Sequence, residues 1–467
     1  MNEKDIIIIG GGPAGYVASI RASQLGSRVA LIEENKPGGV CLNCGCIPTR
    51  FLLHGADLYR SMKTAGQYGI DAEVRAIDLS KLQARKNRII SGLVSGVRSL
   101  LSANRIEVID GRAKLVSSDR VEVFTGEEQT IRAGKIILAT GARTAELQVP
   151  GADSPEVLDY RGLLELASIP GSAIIIGGGV IGIEMATFLN RLGCKLSIIE
   201  MMPRIVSNHD SEIVSVVESS LRKDGVKIYC NARVEKIEDT GKNKRVAFST
   251  DGKTETLEAE IVAVTTGIKP NIEGLGLDEC GIAADEDGIR VDEKMRTSVP
   301  CIYAAGDVAG GIMLAHVAFA EGRVAAENAA GRDSKIDYRA IPQCSFTSPE
   351  LAGVGLTEEE AAAEFHIEVG KFPFAASGMA AVLGKTEGFI KIISDKKSRK
   401  ILGVHIAGSS ASDLIAEAAL AIKQGLTPRD IVETIHAHPT LSEAFWEAAL
   451  DVSGETIHFP PRNGTES

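Results

Sequence analysis

The chain has 467 residues, 44% of them hydrophobic, and a formal net charge of −11 at pH 7. That length exceeds what one hydrophobic core supports and predicts three or four modules, and the acidic balance argues against a nucleic-acid surface, which needs a basic stripe. No run of eighteen apolar residues is present to span a membrane, and the charged start Met1-Asn2-Glu3-Lys4-Asp5 leads into a strand pattern instead of a signal peptide; the expectation is a soluble, cytoplasmic protein with no membrane or nucleic-acid partner.

Residues 6–33 read as strand, glycine turn, helix and strand. An Ile-rich run closes on G-x-G-x-x-G at Gly10, Gly12 and Gly15, a helix ends at Gly26, and a second strand ends at Glu33. Residues 173–200 repeat this plan at the same length, with Gly177, Gly179 and Gly182, a helix stop at Gly193 and a terminal Glu200. In such a unit the glycines let the backbone approach a pyrophosphate, the helix N-terminus stabilises it, and the acid binds ribose hydroxyls. One such motif is weak evidence; two in full strand–helix–strand context point to two dinucleotides.

Between the repeats lies Gly39-Val40-Cys41-Leu42-Asn43-Cys44-Gly45-Cys46-Ile47-Pro48-Thr49-Arg50. Cys41 and Cys46 are five positions apart, ~7.5 Å of rise on a regular helix, beyond the roughly 7 Å Cα separation a disulfide tolerates. A bridge between them therefore predicts an irregular backbone, which Gly45 permits. Pro48 suits the first turn of a helix and would place Cys46 at a positive dipole end that favours thiolate. From the residues alone, Cys41–Cys44 and Cys44–Cys46 bridges remain open, and so does a metal site on the three thiols. Zinc wants four ligands in short pairs, and only His54 lies near. The other five cysteines are isolated and read as core or bystander thiols.

Because the first unit runs directly into the thiol segment, its ligand must lie beside the thiols. Glu200 would accept bonds from a free 2′-hydroxyl and repel a 2′-phosphate, which favours NAD over NADP at the second. Apolar strands closing on Thr140-Gly141 and on Thr266-Gly267 mark the exit of each unit. From about Ile341 the pattern changes to alternating strands such as 388–394 and 401–407 and Ala/Glu-rich helices such as 411–424, an antiparallel sheet with helices on one side. There, His438 precedes a proline and has Glu443 five residues on; such a carboxylate can orient one ring nitrogen while the other takes a proton from a thiol.

Taken together these motifs resemble the pyridine nucleotide-disulfide oxidoreductase family over essentially the whole chain. Within it they are most similar to the branch that oxidises dihydrolipoamide, on Cys41–Pro48, Phe372-Pro373-Phe374, Leu402–His405 and His436–Glu443. The resemblance implies an α/β fold with two Rossmann-like dinucleotide-binding domains, for FAD and NAD, plus a C-terminal α+β dimerisation domain. The implied divisions are 1–145 and 271–340 for the flavin, 146–270 for NAD and 341–467 for the interface.

Carried over by position, Cys41 is the interchange thiol that meets the substrate, Cys46 the thiolate against the flavin, His438 the base and Glu443 its partner, this dyad coming from the other subunit of a homodimer. Asp307, in Cys301–Asp307, binds the ribityl chain, and Met313–His316 runs beside the flavin ring. The flavin set takes in Gly10, Gly12, Pro13, Ala14, Gly15, Glu33, Glu34, Gly39, Arg50, Ala113, Thr140, Gly141, Leu314 and Ala315. The nicotinamide set takes in Gly177, Gly179, Val180, Ile181, Gly182, Glu184, Glu200, Arg233 and Gly267. Position 50 is usually a lysine paired with the acid at Glu184; Arg50 keeps the charge in a larger, planar, differently hydrated group, and the expectation is an altered flavin potential. The implied activity is oxidation of a protein-bound dihydrolipoamide with NAD⁺ as acceptor, so a lipoyl-carrying protein is the expected partner. The alternatives are a related NAD(P)H-dependent disulfide reductase of another substrate and a non-catalytic redox-sensing flavoprotein.

Overall fold

The computed structural model describes residues 3–126 and 128–460, so Met1 and Asn2 of the charged N-terminus and residues 461–467 of the C-terminal module lie outside it. Glu3–Ile9 is flanked in parallel by Val29–Glu33 on one side and Glu128–Leu138 on the other. The four isoleucines Ile6 to Ile9 are all buried, as expected of a strand covered on both faces. Ile302–Ala304 adds itself in parallel to Glu128–Leu138, so chain that follows the second nucleotide unit returns to the first sheet. One face carries helix Pro13–Gln24 against helix Ala315–Ala329. Their alanines and Gly322 permit a close crossing: a Cβ on Gly322 would lie 2.3 Å from the Ala14 carbonyl oxygen.

A second parallel sheet orders Lys227–Tyr229, Lys195–Ile199, Ser172–Ile176, Ile261–Val264 and Val157–Leu158. Its glycine-led helix, Val180–Arg191, is twelve residues long, as Pro13–Gln24 is. Both helices stop as the repeat predicts, at glycines in the left-handed region: Gly26 at φ +92° and Gly193 at φ +95°.

The third sheet is antiparallel, in the order Gln343–Ser345, Glu350–Gly355, Ile401–Gly408, Phe389–Asp395, Ile367–Pro373. Helices Ala411–Gln424 and Glu443–Asp451 pack on it, as the alternating pattern led one to expect. Its other face is covered too, by helix Ser211–Lys223 of the second nucleotide unit; Leu351 and Ala407 accordingly belong to that unit's apolar core. Among the described residues no helix is long and apolar enough to cross a membrane.

This junction is fastened by Lys391. Its side chain is fully buried and bonds Asp210 at 2.6 Å, Glu212 at 2.7 Å and Glu358 at 2.9 Å. Asp210 also caps helix Ser211–Lys223 through the Glu212 amide. Removing the cation strands a buried carboxylate, a loss of about 3–5 kcal/mol. Lys391→Met is therefore expected to move chemical denaturation to clearly lower denaturant concentration, with the far-UV spectrum in buffer unchanged.

Candidate active site

The two glycine turns open onto one continuous cavity of about 1980 Å³. At the first, Gly10 stands at φ +101°, and a Cβ there would lie 2.3 Å from the Ala139 carbonyl; one on Gly15 would lie 1.7 Å from the carbonyl of Gly10. The second turn repeats this, with Gly177 at φ +105° and a Gly182 Cβ 2.0 Å from the Gly177 carbonyl. Each closing acid is pinned in the same way: Glu33 accepts from the Gly11 amide at 2.6 Å and the Asn35 amide at 2.7 Å, Glu200 from the amides of Gly178 and Met202. Burial pushes the Glu33 carboxyl up. The bare, amide-lined turns at helix N-termini fit a pyrophosphate at each end, and the cavity has room for two extended ligands.

The lining brings together most of the residues singled out above. On the flavin side these are Gly10, Gly12, Pro13, Ala14, Glu33, Glu34, Gly39, Arg50, Thr140, Gly141, Asp307, Leu314 and Ala315; on the other side, Gly177, Gly179, Val180, Ile181, Glu184, Glu200, Arg233 and Gly267. Gly15 and Gly182 sit beneath their turns, and the Ala113 side chain packs in the core with Leu115 and Val123 instead of lining the cavity.

Cys41, Cys44 and Cys46 line this cavity too. A short helix, Gly39–Cys44, ends at Gly45 (φ −138°, ψ −110°), and a new helix, Cys46–Lys63, starts at once. The break is the irregularity the spacing demanded, and it puts the Cys41 and Cys46 thiols in mutual hydrogen-bonding contact. Pro48 sits in the first turn of the longer helix. In the reduced pair the contact between the two thiols and burial oppose a thiolate at Cys46. The hydrogen bond from Cys46 lowers Cys41, while donating that bond, burial and the negative charge of Glu184 raise Cys46. Cys44 also lines the cavity, in the field of Arg161, Asp159 and Glu165, and burial pushes its thiol up.

The expected Arg50–Glu184 pair is replaced by another. Arg50 bonds Glu350 at 2.7 Å and lies 4.2 Å from the centroid of the Phe346 ring. Glu184 is buried and accepts the Phe346 amide at 2.8 Å. Burial pushes its carboxyl up to about 7, against the pull of that amide and of Arg50. A planar guanidinium stacks on a ring and forks onto a carboxylate in ways an ammonium does not, which accounts for the difference.

Asp307 opens a single turn, Asp307–Ala309, after Gly306, and burial raises its carboxyl. Glu321, on helix Ala315–Ala329, holds the Gly306 amide at 2.7 Å and the Tyr338 hydroxyl at 2.7 Å, and so supports this turn from behind. His316 donates through Nε2 to the Pro342 carbonyl at 2.9 Å. His438 Nδ1 lies 2.6 Å from Glu443 Oε1, whose other oxygen accepts the Thr440 amide at 2.8 Å. Burial works against the Glu443 carboxylate, but the bonds from His438 and Thr440 hold it below its ordinary range. The dyad is formed, yet His438 is 80% exposed and lies outside the lining of the thiol cavity of its own chain.

Residues 4–322 match the family described as pyridine nucleotide-disulphide oxidoreductase, and residues 341–449 match that family's dimerisation domain. The dihydrolipoyl dehydrogenase of Geobacillus stearothermophilus is 42% identical over 460 residues, covering 98% of this chain and 97% of that protein. The one from Chlamydia pneumoniae is 41% identical over 464 residues, 99% of each. Among solved structures, a Cu(II) complex of the HOCl-induced flavoprotein disulfide reductase RclA from Escherichia coli matches with a TM-score of 0.86 at 30% identity, over 97% of this chain and 99% of that one. The chain therefore belongs to the pyridine nucleotide-disulphide oxidoreductase family, flavoproteins that use FAD and a pyridine nucleotide, and it carries that family's dimerisation domain.

Proposed function

We propose that the protein is a dihydrolipoamide dehydrogenase that oxidises a protein-bound dihydrolipoamide and passes the electrons to NAD⁺. The observation that carries this reading is the Cys41–Cys46 pair held between two glycine turns in one cavity, and the dihydrolipoyl dehydrogenase relatives supply the substrate class. Bound FAD, held by the Gly10–Gly15 turn, Glu33 and Asp307, supplies two-electron transfer between the reduced thiol pair and NAD⁺. NAD⁺ would lie on the Gly177–Gly182 turn, with Glu200 at the adenosine ribose.

The chain's own residues perform the thiol exchange. His438, oriented through Nδ1 by Glu443, takes the proton of one substrate thiol at Nε2. The resulting thiolate attacks Cys41 of the oxidised Cys41–Cys46 pair, forming a mixed disulfide and releasing the Cys46 sulfur as thiolate. His438 gives the first proton to solvent and takes that of the second substrate thiol, whose sulfur attacks the substrate sulfur of the mixed disulfide; lipoamide leaves and Cys41 departs as thiolate. Since the dyad stands outside its own chain's cavity, the base is assigned to the partner subunit of a homodimer. A cytoplasmic, lipoyl-carrying protein is the proposed partner.

A second reading, reduction of a different disulfide with NADH, draws on the RclA-like fold and on Arg50. Anaerobic titration separates the two: dihydrolipoamide is expected to bleach the flavin absorbance and NAD⁺ to restore it. No bleaching by dihydrolipoamide, with full bleaching by NADH, would favour the second reading.

The thiol environments predict a labelling order. Iodoacetamide added to the NADH-reduced holoprotein at neutral pH should modify Cys41 well before Cys44, since Cys41 is lowered and Cys44 raised. Peptide mass spectrometry showing Cys44 labelled first would remove Cys41 from the interchange role.

A further inference from the structure

Arg50 is held in place from the C-terminal sheet by Glu350. Glu350 starts strand Glu350–Gly355 of the third sheet and grips two partners. Its Oε1 takes the Arg50 guanidinium at 2.7 Å; its Oε2 accepts the Ser412 hydroxyl at 2.8 Å and the Ser412 amide at 3.2 Å, at the start of helix Ala411–Gln424. Arg50, one turn beyond Cys46 on the thiol helix, is thereby clamped to the C-terminal sheet and laid on the Phe346 ring. The amide of that same Phe346 occupies Glu184 Oε1. Two carboxylates thus lie within the field of one guanidinium, and the anchored one takes it.

We propose that Glu350 is a positioning residue of the redox centre: by holding Arg50 against Phe346 it keeps the guanidinium out of an ion pair with Glu184, and so leaves Glu184 a proton-exchanging carboxyl beside Cys46. The groups that face Glu184 are Arg50 and Cys46 from the thiol helix, Cys344 from strand Gln343–Ser345, and Glu350. Only Arg50 among them is cationic, so it alone of these groups can form an ion pair with Glu184. Desolvation without a direct ion pair agrees with a carboxyl pushed up to about 7. Glu184 and the Cys46 sulfur are both negative when deprotonated, so a proton on Glu184 favours thiolate at Cys46, and thiolate at Cys46 favours the proton.

The inference rests on the reading of Cys46 as the inner redox thiol, and its test is independent of substrate. Infrared pH-difference spectra of the holoprotein read the protonated-carboxyl band of Glu184, identified by its loss in Glu184→Gln. That band is expected to titrate near neutral pH in the unaltered protein and to fall by about one to three pH units in Glu350→Gln, as freed Arg50 meets Glu184. Removing Glu350 also removes a negative charge, so two further variants isolate the cause. Adding Arg50→Met to Glu350→Gln should abolish the fall, and Phe346→Leu, which leaves every charge in place, should lower the band in the same direction. A midpoint unmoved in Glu350→Gln, or a fall that persists without Arg50, would overturn the proposal. If dihydrolipoamide proved not to be a substrate, the infrared result would still stand by itself.

Discussion

Two sulfur atoms five residues apart can meet only if the helix between them fails, and the chemistry of this protein depends on that failure. A continuous helix would separate Cys41 and Cys46 by ~7.5 Å of rise. Here helix Gly39–Cys44 stops, Gly45 turns the chain, and helix Cys46–Lys63 begins without an intervening loop. The turn is also crowded: a Cβ on Gly45 would lie 3.0 Å from the Val40 carbonyl and 3.4 Å from the Cys41 Cα. With the sulfurs in contact they share a proton unequally, which leaves one of them suited to attack and to be attacked.

The frame around the thiols is a duplicated solution to one problem, bringing backbone amides up to a diphosphate. Both units meet it with the same parts: a glycine in the left-handed region, a second glycine beneath it with no room for a side chain, and a strand-end glutamate tied to the amide after the first glycine. The C-terminal sheet is locked against the second unit through Lys391 and against the thiol helix through Arg50 and Glu350. It therefore fixes the position of the redox centre while presenting its own His438–Glu443 dyad outward.

Features written in local spacing were legible in the chain. The glycine turns, their helix stops at Gly26 and Gly193, the helix break at Gly45 and the strands near 388–394 and 401–407 all follow from intervals of a few residues. His438 and Glu443, five apart, belong to the same class. What stayed hidden joins distant residues through polar groups, which leave no period in the sequence. Arg50 and Glu350 are 300 positions apart, and Lys391 reaches Asp210 across two modules. The family resemblance transferred a partner for position 50 that an arginine does not take, because the ring of Phe346 and the second carboxylate offer it a better seat. Glu321 left a trace, an acid among alanines and valines on a buried helix, whose meaning needed the Gly306 turn in view.

In the proposed mechanism a thiol pair of one subunit is served by an imidazole of the other, and complementation between inactive variants tests this. Cys46→Ser and His438→Gln proteins would each be purified inactive toward dihydrolipoamide, mixed under conditions that exchange subunits, and assayed. Activity is expected to appear on mixing, because a mixed dimer holds one site with an intact thiol pair and an intact dyad. Two proteins that exchange subunits and remain inactive would contradict it, and would place the base within the chain that carries the thiols.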